Sequence, residues 1–140
     1  MSRIFWDTNL FIYLIEDAGE RGRKVGQLAR RMLERKDQLC ASTLTLGEVL
    51  VKPRSKGDFV LCQKYEAILA QYAELIPFDE EASRLYAEIR QDRAIRALDA
   101  IQLACASKGR ADLFITNDER LSRTMTPGIQ FITSLQRAFL

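Results

Sequence analysis

The chain has 140 residues, 47% of them hydrophobic, with three prolines and seven glycines, which suits one folded domain over 1–140 and leaves little room for disorder. Its net charge of +2, from 21 basic and 19 acidic residues, neither demands nor excludes a nucleic-acid partner. It contains no histidine, which excludes imidazole acid/base catalysis and, with only three cysteines, argues against zinc.

Ile4-Phe5-Trp6 is an apolar, strand-like run ending at Asp7. Leu10 to Glu16 reads as a buried helix that Asn9 could cap, and Asp17 to Arg23 as a charged, glycine-containing turn. Val25, Leu28, Ala29, Met32 and Leu33 give Val25 to Arg35 helical spacing beneath a basic outer face. Leu39 to Ser42 suggests a second strand. Thr45-Leu46-Gly47-Glu48 fits a capping box opening the next helix, which Pro53 to Gly57 should break. A helix from about Phe59 to Tyr72 follows. Leu75 to Phe78 reads as a third strand, placed at an edge because Pro77 cannot donate to a ladder. Asp79 caps a helix carrying Ala82, Leu85, Tyr86 and Ile89. Asp99 to Lys108 is small or apolar on most faces, hence central, and stops at Gly109. Leu113 to Thr116 is a fourth strand and Ile129 to Ile132 a fifth. Short apolar strands alternating with helices imply an α/β fold, a mostly parallel sheet covered on both faces.

Cys40, Cys62 and Cys105 lack metal-ligand spacing and sit among apolar neighbours, so they read as small core residues in a reducing compartment. No secretory leader opens the chain and no apolar run reaches bilayer length. The expectation is a cytoplasmic protein with no membrane partner.

Without histidine, carboxylates holding a hard cation are the leading means of activating water near neutral pH. Asp7 and Asp118 each follow an apolar strand-like run, where a parallel sheet opens its ligand crevice. Glu48 and Asp99 fall near the starts of helices facing the same edge, so the four acids can converge. Clustered carboxylates repel one another unless a cation compensates them, and oxygen ligands suit Mg²⁺ or Mn²⁺. Each acid also has a plainer reading: strand exit for Asp7, capping box for Glu48, N-cap for Asp99, surface turn for Asp118. Thr8, Asn9, Thr116 and Asn117 could orient a water or a carboxylate, or could simply bond turns.

Four segments carry a resemblance over nearly the whole chain: Ile4 to Asn9, Ser42 to Val49, Leu98 to Ala104 and Asp112 to Asp118. Together they resemble the PIN-domain nucleases, and specifically the VapC-type toxins of prokaryotic toxin–antitoxin pairs. The resemblance implies an αβα sandwich, Mg²⁺- or Mn²⁺-dependent endoribonuclease activity on tRNA, rRNA or mRNA, a homodimer, and inhibition by a cognate antitoxin. It places Asp7, Glu48, Asp99 and Asp118 as the site acids. Two positions depart from it: Gln102 stands where related sequences often have histidine, and Leu121 where an aromatic is frequent.

RNA also needs positive charge near the acids. Arg93 and Arg96, before Asp99, and Arg120 and Arg123, after Asp118, are the best phosphate-contact candidates, with Lys52, Arg54 and Lys56 as another lobe. Trp6 reads as core rather than a base-stacking platform. The competing functions are a phosphatase or phosphotransferase using Asp7 as nucleophile, weakened because position 9 is asparagine rather than a second acid, and a non-catalytic RNA- or protein-binding module.

Overall fold

The computed structural model describes residues 1–140. Five strands form one sheet in the order β3-β2-β1-β4-β5, and all four pairings are parallel. They are β1 (Arg3–Trp6), β2 (Gln38–Ser42), β3 (Ala73–Ile76), β4 (Leu113–Thr116) and β5 (Phe131–Ser134). Six helices connect them: α1 (Thr8–Glu16), α2 (Glu20–Arg35), α3 (Thr43–Ser55), α4 (Phe59–Tyr72), α5 (Glu80–Ile89) and α6 (Ala97–Lys108).

The strands place alternate side chains on opposite faces, and that period divides the core in two. Ile4, Trp6, Ala41 and Ile115 pack with α1 to α4, through residues such as Phe11, Leu28, Val49 and Tyr65. Phe5, Cys40 and Phe114 face the other way, onto α5 and α6 through Ile89, Leu103 and Ala104. Phe5 and Phe114 stack at 5.2 Å across the β1–β4 pair and Trp6 meets Phe11 of α1 at 5.1 Å, and the two clusters cover each central strand on both sides. The result is the expected three-layer αβα sandwich. Trp6 is core, as its strand position implies, and the three cysteines are free and buried. Burial pushes the Cys40 and Cys105 thiols up to about 11, which makes them poor nucleophiles. No helix is long and apolar enough to cross a membrane.

Several element boundaries differ from the sequence expectations, each for a local reason. Asp7, not Asn9, caps α1, because β1 ends at Trp6 and the helix starts at once. The turn after α1 closes by Gly19, so α2 begins at Glu20, and Leu33 turns outward, 69% exposed. Ser42 rather than Thr45 caps α3: its Oγ accepts the Thr45 N–H at 3.2 Å. Pro53 lies inside the last turn of α3, where it forfeits only one backbone bond, and the helix runs on to Ser55. β3 ends before Pro77, so it is an edge strand without the proline's help. α6 starts at Ala97, with Arg96 at the cap. β5 begins at Phe131, two residues later than its apolar run suggested. Gly109 ends α6 as expected but with φ −75°, so a left-handed cap is not its reason. A Cβ there would lie 2.2 Å from the Ile76 Cδ1 atom.

Gly22 is the tightest point in the helical layer. A Cβ at this position would fall 1.7 Å from the Asp17 carbonyl oxygen, which is backbone and cannot swing aside. Gly22→Ala should therefore cost about 3 kcal/mol, the upper range for overpacking. A thermal melt should show a fall of roughly 10 °C for a domain of this size. A variant melting with the wild type would show that α2 can slide off the end of α1.

Candidate active site

The chain order β1, β2, β3 builds outward from the sheet centre on one side, and β4 then returns to the other side of β1. The crevice between β1 and β4 is therefore the topological switch point. Asp7 sits there because the β1–β4 register continues past the last strand residue: its N–H donates to the Ile115 carbonyl at 2.9 Å. The carboxylate then has two fixed partners. Oδ1 accepts the Thr8 N–H at 2.9 Å and Oδ2 the Thr116 hydroxyl at 2.8 Å. The same Thr116 oxygen accepts the Asp118 N–H at 3.0 Å. Asp118 in turn holds the turn after β4, its Oδ1 accepting the N–H groups of Arg120 and Leu121 at 2.9 and 3.2 Å.

Glu48 arrives from α3. Because Ser42 is the cap, Glu48 lies in the second turn of the helix, beyond reach of the capping-box role, and that reading of it falls. Its Oε1 accepts the Thr8 hydroxyl at 2.7 Å and the Gln102 amide at 3.2 Å. Gln102, on α6 and 2% exposed, joins three elements. Its Nε2 also lies 3.0 Å from the Thr8 and Thr45 hydroxyls, and its Oε1 accepts the Ser42 hydroxyl at 2.5 Å. The proton directions are consistent: Ser42 donates to Gln102, Gln102 to the threonines, and Thr8 to Glu48. Asp99 is the third residue of α6, so it is not that helix's N-cap.

All four acids line one cavity of about 630 Å³, together with Thr8, Asn9, Thr116, Asn117, Gln102, Lys52 and Arg96. Their mutual charge is visible in their acidity. Burial raises the Asp7 carboxyl to about 6 despite its bonds from Thr116 and Thr8, with Asp99 and Glu48 pushing the same way. Asp99 is also raised, first by burial and then by Asp118 and Glu48, while Arg96 and Arg120 pull it down. A cleft whose four acids outnumber the two cations lining it is suited to a bound cation, and donors that are all carboxylate oxygen favour a hard one. As the side chains stand, no three acids are gathered tightly enough to grip a single ion.

The remaining candidates divide. Thr8 and Thr116 each bond an acid. Asn9 lines the cavity, and Asn117 does so while donating to the Tyr13 hydroxyl at 2.8 Å rather than to a carboxylate. Arg96 lines the cavity and Arg120 acts on Asp99 through its charge, whereas Arg93 and Arg123 do not line it. Lys52 does. Leu121 is buried against the α5–α6 layer. Sequence reasoning missed Ser42, Thr45 and the central role of Gln102; its one signal was that Gln102 stands where related sequences often have histidine.

Fold and site together define a three-layer α/β protein with an acid-lined cleft at the carboxyl edge of a parallel sheet. The chain belongs to the PIN domain family, whose model matches residues 4–125. Membership supports a nuclease, hence hydrolase, function. Among solved structures it is similar to VapBC2 from Rickettsia felis bound to a DNA fragment from their promoter, at 17% identity and TM-score 0.75, covering 94% of this chain and 98% of that one. A toxin–antitoxin complex from Klebsiella pneumoniae is 25% identical with TM-score 0.69, covering 90% and 94%. The sarcin-ricin loop cleaving toxin VapC20 of Mycobacterium tuberculosis is 18% identical with TM-score 0.67, covering 90% and 98%. No curated protein matches in sequence.

Proposed function

We propose that residues 1–140 act as one nuclease domain that hydrolyses RNA phosphodiesters in the cleft of Asp7, Glu48, Asp99 and Asp118, as the toxin of a toxin–antitoxin pair. The observation that carries this reading is the convergence of four acids from separate elements on one cavity, with Asp7 and Asp99 both harder to ionise than usual. Mg²⁺ or Mn²⁺ would be held by these carboxylates. Mg²⁺ commonly takes only one or two of them and keeps water in its other positions, so the lack of a gathered trio is compatible with binding. When bound, the ion would offset charge on the phosphoryl oxygens and ease deprotonation of water. The chain's own part is positioning: Thr116 and Thr8 hold Asp7, and Thr8 with Gln102 holds Glu48. Lys52 and Arg96 would meet the phosphates flanking the scissile bond, with Arg120 behind Asp99.

The toxin role draws on the Klebsiella complex and the mycobacterial RNA-cleaving toxin, and it brings a cognate antitoxin, a homodimer and a cytoplasmic setting with it. The test is cleavage of total RNA by purified, antitoxin-free protein in Mn²⁺. Wild type should cleave and a chelator should stop it. Loss of an outer-sphere partner commonly costs 10–100-fold, so Asp7→Asn and Asp99→Asn should each lower the rate by more than about 100-fold. Undiminished cleavage by both variants would overturn the mechanism.

A further inference from the structure

Arg93 stands close to the site in sequence yet faces a different cavity. That cavity, about 610 Å³, is lined by Tyr86, Arg90, Gln91 and Arg93, and no carboxylate lines it. Neither arginine is in an ion pair, so both guanidinium charges are uncompensated, as most of the chain's arginines are. The nearest acid in sequence, Asp92, is turned to the Ala94 N–H at 3.0 Å. The Arg90 guanidinium leans over the Tyr86 ring, 6.0 Å from its centroid, with Nη1 3.5 Å from the Tyr86 hydroxyl. Its Nε–H is buried with no acceptor. A guanidinium donor left unmet is costly, so Arg90 has hydrogen-bonding capacity to spare at a residue that lines the cavity.

We propose that Arg90 and Arg93 form a second anion site, which holds a backbone phosphate of the RNA strand whose scissile bond lies among the four acids; this rests on the ribonuclease reading above. The same short loop that presents Arg93 to this cavity presents Arg96 to the acid cleft. Three residues of chain span at most about 11 Å, so the two sites lie within a few nucleotides of one another. The planar forks of two arginines match a phosphodiester, and the Tyr86 ring fixes one of them in advance. The site reads no base. It sets where the strand runs, and hence which bond reaches the acids.

The test uses a labelled single-stranded RNA of about a dozen nucleotides, within the usual range of site sizes, and anisotropy titrations in chelator across a salt series. Each lost phosphate contact should flatten the slope of log affinity against log salt by about 0.7, which is about five-fold weaker binding at 0.1 M salt. Arg93→Gln, at an exposed position that leaves folding intact, should show that change, and Arg93→Lys should restore most of it. Arg90→Gln, checked by thermal melt, should add to it. An unchanged slope in Arg93→Gln, with cleavage by wild type intact, overturns this site and leaves the nuclease reading standing. A wild type that neither binds RNA here nor cleaves it in Mn²⁺ overturns both.

Discussion

Replacing Asp7 with asparagine is expected to make the protein more stable while abolishing its activity. In the unfolded chain this carboxyl titrates near 3.8; in the folded chain it titrates at about 6, chiefly because it is buried. Between those values the folded state keeps a proton that the unfolded state has released, so stability falls as pH rises through the window. Above pH 6 the charged group carries the full penalty, about 3 kcal/mol for a shift of roughly two units. Asparagine carries no charge and keeps an acceptor for the Thr8 N–H, but it turns a donor toward the Thr116 hydroxyl, which loses its acceptor at a cost of about 1 kcal/mol. In metal-free buffer the variant should therefore fall slightly below wild type near pH 4 and exceed it by about 2 kcal/mol, or roughly 7 °C in Tm, at pH 7.5. Mn²⁺ should then narrow that gap. An ion that binds only the native state adds about 2.7 kcal/mol at a hundred times its Kd, and the variant, lacking the Asp7 carboxylate, should gain less. Chemical denaturation of both proteins at four pH values, with and without Mn²⁺, checks each part. Equal stability at pH 7.5 in chelator would show that the charge on Asp7 is compensated without a cation, removing the main physical reason to place one there.

The sheet was legible in the sequence because its physics is local. Runs such as Ile4-Phe5-Trp6 and Leu113 to Thr116 are apolar on both faces, as only strands covered on both sides tolerate, and helical spacing separates them. Asp7 and Asp118 were legible because each follows a strand where it gives way to a helix or turn, whereas Glu48 and Asp99 lie inside α3 and α6 and stood out through the resemblance of the segments around them. Helix starts were harder. Asp7 and Asn9 are both good caps, as are Ser42 and Thr45, and the choice depends on where the preceding strand stops, which pairing decides. That choice mattered for Glu48, whose plain capping role vanished once α3 was seen to begin at Thr43. The Gln102 network was illegible for a different reason: Thr8, Ser42, Thr45 and Gln102 come from three parts of the chain and meet only in the folded core. Likewise Arg93 and Arg96 look equivalent in sequence, and only the loop between α5 and α6 assigns them to different cavities.

Gln102→Leu should produce the second large effect, and it separates structural support from site geometry. The amide accepts the Ser42 hydroxyl and donates toward Thr8, Thr45 and Glu48, all at buried or half-buried positions. Leucine preserves the bulk but leaves the Ser42 O–H without its acceptor and removes the amide donor to Thr8, Thr45 and Glu48, the two threonines keeping only their 3.0 Å bond to each other and Thr8 its bond to Glu48. Each orphaned buried group costs about 1–3 kcal/mol, so a loss of about 3 kcal/mol in folding stability is expected. The effect on the site should be read apart from that, at a temperature where both proteins are folded. Gln102 does not line up with an ion; it holds Oε1 of Glu48 and keeps the Thr8 hydroxyl pointed at the same atom, leaving Oε2 outside that network. Without it, Glu48 should sample other rotamers and Mn²⁺ affinity measured by calorimetry should drop 10–100-fold, the usual consequence of losing an outer-sphere partner. Binding of RNA in chelator should change little, because the arginines are untouched. Gln102→His, which restores a ring N–H where leucine offers nothing, should recover part of the Mn²⁺ affinity. If leucine lowered stability but left Mn²⁺ affinity within two-fold of wild type, the network would be a core fastening alone, and Glu48 would owe its placement to the α3 backbone.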